Sequence, residues 1–105
     1  MQRDQDFDIA RNIKAIEWLK TEIVIDAGQI GRALLNGKDE LVLESIADSI
    51  LCCYLLARRL GVSFSKLESA VEGRARMAGM QGHELEQWYN DLSSLAEHLS
   101  ARRTL

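Results

Sequence analysis

Four carboxylates in the first half of the chain are spaced for joint chemistry. Glu22 with Asp26, and Glu44 with Asp48, each form a Glu-x-x-x-Asp pair. Four residues apart puts both carboxylates on one side of a helix, where like charges repel modestly. Asp48 stands in "LVLESIADSILCCYLLA", residues 41–57, and is the only charged residue in the last twelve of these positions. An ionised carboxylate enters an apolar interior only with a partner, because desolvation costs several kcal/mol or more. Two such pairs on neighbouring helices would repel unless a divalent cation offset the charge. Magnesium is the natural candidate, since it takes hard oxygen ligands and keeps waters and phosphate oxygens in its shell. Carboxylates from facing helices are an established way to build a metal site in a bundle. The competing reading is a structural polar cluster. In it Asp26 pairs with Arg32, Arg58 or Arg59, and Asp48 accepts hydrogen bonds from Ser45 or Tyr54.

The elements that carry these residues read as helices. The chain of 105 residues suits one domain, contains no proline and scatters its seven glycines. A first helix is expected to start near Asp6 or Asp8, either of which can cap free amides, and to stop at Asn36-Gly37. It is either one long helix or two joined by a kink. Gly28 and Gly31 weaken it locally but permit another backbone to approach closely. Projection at 100° per residue centres its apolar face on Ile16, Ile23, Ile30 and Leu34, with Leu19 and Ala33 to one side. Asp26 falls between these groups, and Glu22 lies close beside it. A second helix is expected from Asp39 to Leu60, with Gly61 as its stop. A third is expected to be capped by Ser63 or by a Ser65–Glu68 capping box and to run towards Met77. A fourth segment, "HELEQWYNDLSSLAEHLSARR", keeps helical spacing to the end.

The second helix is apolar nearly all round, through Leu43, Ile46, Ile50, Cys53, Tyr54 and Ala57. Such a helix is surrounded by protein. In a chain this short the cover is expected from further copies, so the fold class is all-α with a core completed by a homodimer or homotetramer. The net charge of −3 argues against nucleic acid as a partner. No segment reaches the roughly 18 apolar residues that cross a bilayer. "MQRDQDFD" has no apolar core of a secretion signal, so a cytoplasmic protein with no membrane partner is expected. Adjacent Cys52 and Cys53 point about 100° apart on a helix and are expected to be buried reduced thiols. Trp18 and Trp88 are expected in the core or at an interface.

The segments "IEWLKTEIVIDAGQIGRALLNG" and "LESIADSILCCYLLARRLGVSFSKLESAVEGR" resemble the MazG-like, all-α nucleoside triphosphate pyrophosphohydrolases, especially the small members made of this domain alone. The resemblance covers about residues 9 to 78. It implies a bundle of about four helices: a MazG-like helical domain over 1–80, and an accessory C-terminal helix over 81–105 packed on it. It also implies cleavage between the α and β phosphates of a nucleotide, with release of pyrophosphate. Family members hold magnesium with Glu-Glu-x-x-Glu on one helix and Glu-x-x-Asp on the next. Here the first motif falls on Ile25, Asp26 and Gln29, and the second on Ser45 and Asp48. Only Asp26 and Asp48 keep a carboxylate, so the metal motif is degenerate and activity is expected to be weakened or lost. Glu22 and Glu44 could compensate from one turn away. The basic position of the third helix falls on Arg74, expected to contact phosphate, and an asparagine often found soon after it is replaced by Ala78. No residue is assigned as catalytic base. The alternative is a non-catalytic helical oligomer that binds nucleotide or a protein partner.

Overall fold

The computed structural model describes residues 2–104, with the side chains of 8–103. Five helices follow one another: α1 (Gln2–Leu35), α2 (Asp39–Arg59), α3 (Phe64–Met80), α4 (Glu84–Tyr89) and α5 (Asp91–Thr104). No strand occurs among the described residues, and the all-α class holds. The expected fourth helix is two. Asn90 takes a left-handed conformation (φ 62°) that closes α4, with its N–H donating to the Glu86 carbonyl, and α5 begins at the next residue. Asparagine is among the few side chains that tolerate this region.

α1 is one unbroken helix. Nothing in its first turns breaks it, so it already runs at Gln2, and Asp6 and Asp8 are interior positions rather than caps. The helix runs through Gly28 and Gly31 without interruption, and a Cβ at either would meet open space among the described residues. Gly37 ends the helix at φ +66°, while the Lys38 N–H returns to the Ala33 carbonyl (3.2 Å) in a Schellman closure. Ser63 caps α3 by accepting from the Lys66 N–H at 3.1 Å. This displaces the expected Ser65–Glu68 box, and the helix continues through Gly79 to Met80 rather than stopping near Met77.

The contacts sort into two compact units that divide after Gly61. The first is an antiparallel hairpin of α1 and α2, whose three-residue connection leaves no other arrangement. Its buried stripe on α1 is Leu19, Asp26 and Ala33, spaced by seven, and on α2 it is Ser45 and Cys52, also spaced by seven. Repeats of seven keep one seam facing a partner helix. The α1 face is therefore rotated from the expected one. Ile16, Ile23 and Ile30 are half-buried, and Leu34 is exposed. At the open end of the hairpin, Asn12 Nδ2 donates to the Arg59 carbonyl at 3.1 Å.

In the second unit α3 packs on α5, and α4 on α5. Ala75, Ala96 and Leu99 are its buried apolar residues. The Glu86 carboxylate accepts from the Ser93 N–H (3.0 Å) and the Ser93 hydroxyl, so α4 supplies the cap of α5. Those bonds hold the Glu86 carboxyl below its ordinary range. Neither tryptophan reaches a core: Trp18 and Trp88 are both exposed in the chain, and Trp88 meets Tyr89 edge-to-face at 6.3 Å.

Gly37→Ala puts a Cβ into the left-handed region with no clash to relieve. The expected loss is about 1–2 kcal/mol of stability, from conformational strain alone, read by urea unfolding.

Candidate functional site

The carboxylates of interest lie on the hairpin, and the seam decides their surroundings. Asp26 occupies the seam position between Leu19 and Ala33 and is only 8% exposed. Opposite it on α2 stands Cys52, also buried, whose thiol donates to Asp26 Oδ2 at 3.5 Å. This bond was not legible in the sequence. The available signal was that Cys52 follows Ser45 by seven and Asp48 by four, but nothing local says which α1 residue it meets.

Burial pushes the Cys52 thiol above its ordinary pKa. The hydrogen bond to Asp26 adds to this, followed by the negative charges of Asp26, Glu22 and Asp48. Three of the four expected carboxylates thus act on the Cys52 thiol, and Asp26 is the one in hydrogen-bond contact with it. Glu22 is half-buried one turn before Asp26, on the same side of α1. Asp48 is exposed, contrary to the dry interior its neighbours suggested. Three residues after Ser45 and four before Cys52, it sits on the flank of the seam, and a two-helix hairpin leaves that flank uncovered.

Glu44 does not join them. It is exposed and lines an open depression with Lys38, Asp39, Glu40 and Leu41 at the start of α2. Cys53 is exposed as well, so only one of the two thiols is buried. Arg74 lies on the second unit, exposed on α3. It is two residues from Glu72, a turn of about 200° that places it away from the face on which Glu72 meets α5. Arg76, also on α3, is engaged by Glu72 at 3.2 Å.

Glu22, Asp26 and Asp48 fit a divalent cation in chemistry, since all are hard oxygen donors with negative charge. Their spacing is another matter. Among the described residues, no three His, Cys, Asp or Glu side chains are gathered closely enough to hold a metal ion. A cation at Asp26 would have to draw in Glu22 and Asp48 and displace the Cys52 thiol.

Burial and a raised pKa together predict that Cys52 resists alkylation. Native protein treated with iodoacetamide near pH 8 should carry the label at Cys53 before Cys52, with both labelled once urea unfolds it. Peptide mass spectrometry reads the order, and equal labelling of the two would contradict the buried pair.

No curated protein and no solved structure matches the chain. A model of the MazG-like family matches residues 9–92, from the first turns of α1 through α4 into the start of α5. With most of its length matched and every element helical, this chain belongs to the MazG-like family.

Proposed function

We propose that the chain acts on nucleoside triphosphates as a MazG-like pyrophosphohydrolase with a reduced metal site and correspondingly weak catalysis. The observation that supports this most is a carboxylate, Asp26, buried at the α1–α2 seam, with the negative charges of Glu22 and Asp48 both acting on the Cys52 thiol beside it. These two helices are the ones that carry the acidic motifs in the family, and Asp26 and Asp48 stand at motif positions. When bound, magnesium supplies charge neutralisation on the triphosphate and an activated water. On this reading Asp26 anchors the cation, Glu22 and Asp48 complete the oxygen set, and Arg74 offers a cation to a phosphate. Glu44, exposed one turn before Asp48, is the remaining candidate ligand.

One observation favours a second reading, a non-catalytic helical oligomer that binds nucleotide or a protein partner. The Cys52 thiol already satisfies Asp26 without any cation. On that reading magnesium has nothing to add, and Asp48→Asn leaves stability unchanged or raises it by relieving like-charge repulsion.

Pyrophosphate release from a panel of nucleoside triphosphates, with and without magnesium, separates the two. The first reading expects magnesium-dependent release that falls about tenfold or more in Asp48→Asn, the scale of losing one charge-stabilising contact. Equal release by wild type and mutant would remove Asp48 from the mechanism. A thermal shift with magnesium in wild type, lost in the mutant, accompanies the first reading only.

Either reading places the hairpin in a homodimer or homotetramer. Leu43 is 69% exposed and Ile50 51%, and Leu51, Leu55 and Ile46 also face out from α2. Leu19 is the one large aliphatic side chain buried in the described hairpin. On either reading further copies of the chain cover the apolar surface of α2. Light scattering after size-exclusion chromatography should return the mass of two or four chains, and a monomer at micromolar concentration would end this part of the proposal.

A further inference from the structure

α5 meets α3 through a small apolar contact and two ion pairs. Its buried apolar residues are Ala96 and Leu99, and they meet a helix whose own buried residue is Ala75. Only one of these three side chains is large. Leu95 remains 43% exposed, and the face of α5 is only weakly apolar.

The last turn of α5 brings Arg102 and Arg103 against two glutamates one turn apart on α3. Arg103 Nη1 lies 2.6 Å from Glu72 Oε1, and Arg102 Nη1 lies 3.6 Å from Glu68 Oε2. Glu72 also holds Arg76 of its own helix at 3.2 Å. The two glutamates are largely covered, with side chains 14% and 15% exposed. Glu72 Oε1 is buried and has no hydrogen-bond partner of good geometry, so the Arg103 charge is its compensation. Partial burial pushes the Glu72 carboxyl up, but the Arg76 and Arg103 guanidiniums outweigh it and hold the carboxyl below its ordinary value. The arginines sit at the negative end of the α5 dipole, which favours them there as well.

We propose that Glu68 and Glu72 with Arg102 and Arg103 form an ionic clasp, and that opening it releases α5 from α3 while the α1–α2 hairpin stays folded. Two properties follow from the chemistry. Ion pairs near the surface weaken as salt rises, whereas apolar contacts do not. Removing one partner of a covered pair leaves the other charge uncompensated, while replacing both with apolar side chains removes that penalty. Release would uncover Ala75 and free two arginines, Arg102 and Arg103, while Arg76 keeps Glu72 within α3.

Hydrogen exchange followed by mass spectrometry on the full chain tests this. Between low salt and about 1 M sodium chloride, where the screening length falls to about 3 Å, amides of 91–104 should exchange about tenfold faster. Those of residues 9–59 should be unchanged. Arg103→Glu should show fast α5 exchange already at low salt. Glu72→Met combined with Arg103→Met should exchange as slowly as wild type and respond less to salt. Salt-independent exchange of α5 in wild type would overturn the clasp. So would a rise shared equally by α1 and α2, or a double variant as fast as Arg103→Glu.

Discussion

A carboxylate set into a helix–helix seam is the constraint around which the first half of this protein is organised. Asp26 takes a position that a seven-residue repeat would normally give to an aliphatic side chain, between Leu19 and Ala33. Burying that group costs free energy unless something donates to it. Cys52 donates from the opposite helix, and the two residues flank the same point of the seam. Small polar residues on α2, Ser45 and Ser49, keep the helices close there, with the Ser49 hydroxyl turned back to the Ser45 carbonyl at 3.1 Å. A bulky aliphatic residue at position 52 would fill the space and leave Asp26 without a donor.

This arrangement bears on function in two opposite directions. A buried carboxylate whose neighbourhood also feels the charges of Glu22 and Asp48 would favour a cation, as the proposed activity requires. A neutral thiol on the buried oxygen is also a donor that needs no metal. Hard cations prefer oxygen over sulfur, so Cys52 competes with a magnesium ion rather than helping it.

The second unit is held by different physics. Its apolar contact is small, and charge does much of the fastening: Glu86 caps α5, and Glu68 and Glu72 hold its far end. Apolar side chains that could have packed a larger core are exposed instead, among them Met77, Met80, Trp88 and Tyr89. In the hairpin the same imbalance is seen on the outer face of α2. Both units therefore carry more apolar surface than their own cores use.

Much of the architecture was legible from local signals. The lack of proline and the left-handed stop at Gly37 mark α1, and Gly61 (φ +84°) marks the end of α2, because these depend on single residues and their neighbours. The two Glu-x-x-x-Asp pairs and the family were readable for the same reason: spacing and order are linear properties. Other features were decided by partners far away in the chain. Asp26 is buried and Asp48 is not, although both sit among apolar residues. The register of α1 against α2 chooses Leu19, Asp26 and Ala33 as the seam and leaves the Ile16–Ile23–Ile30 stripe at its edge. The break at Asn90, the thiol on Asp26 and the charge clasp on α5 also belong to the folded state. Periodicity says which residues share a side of a helix, but the direction from which the next helix arrives is set by the packing of both together.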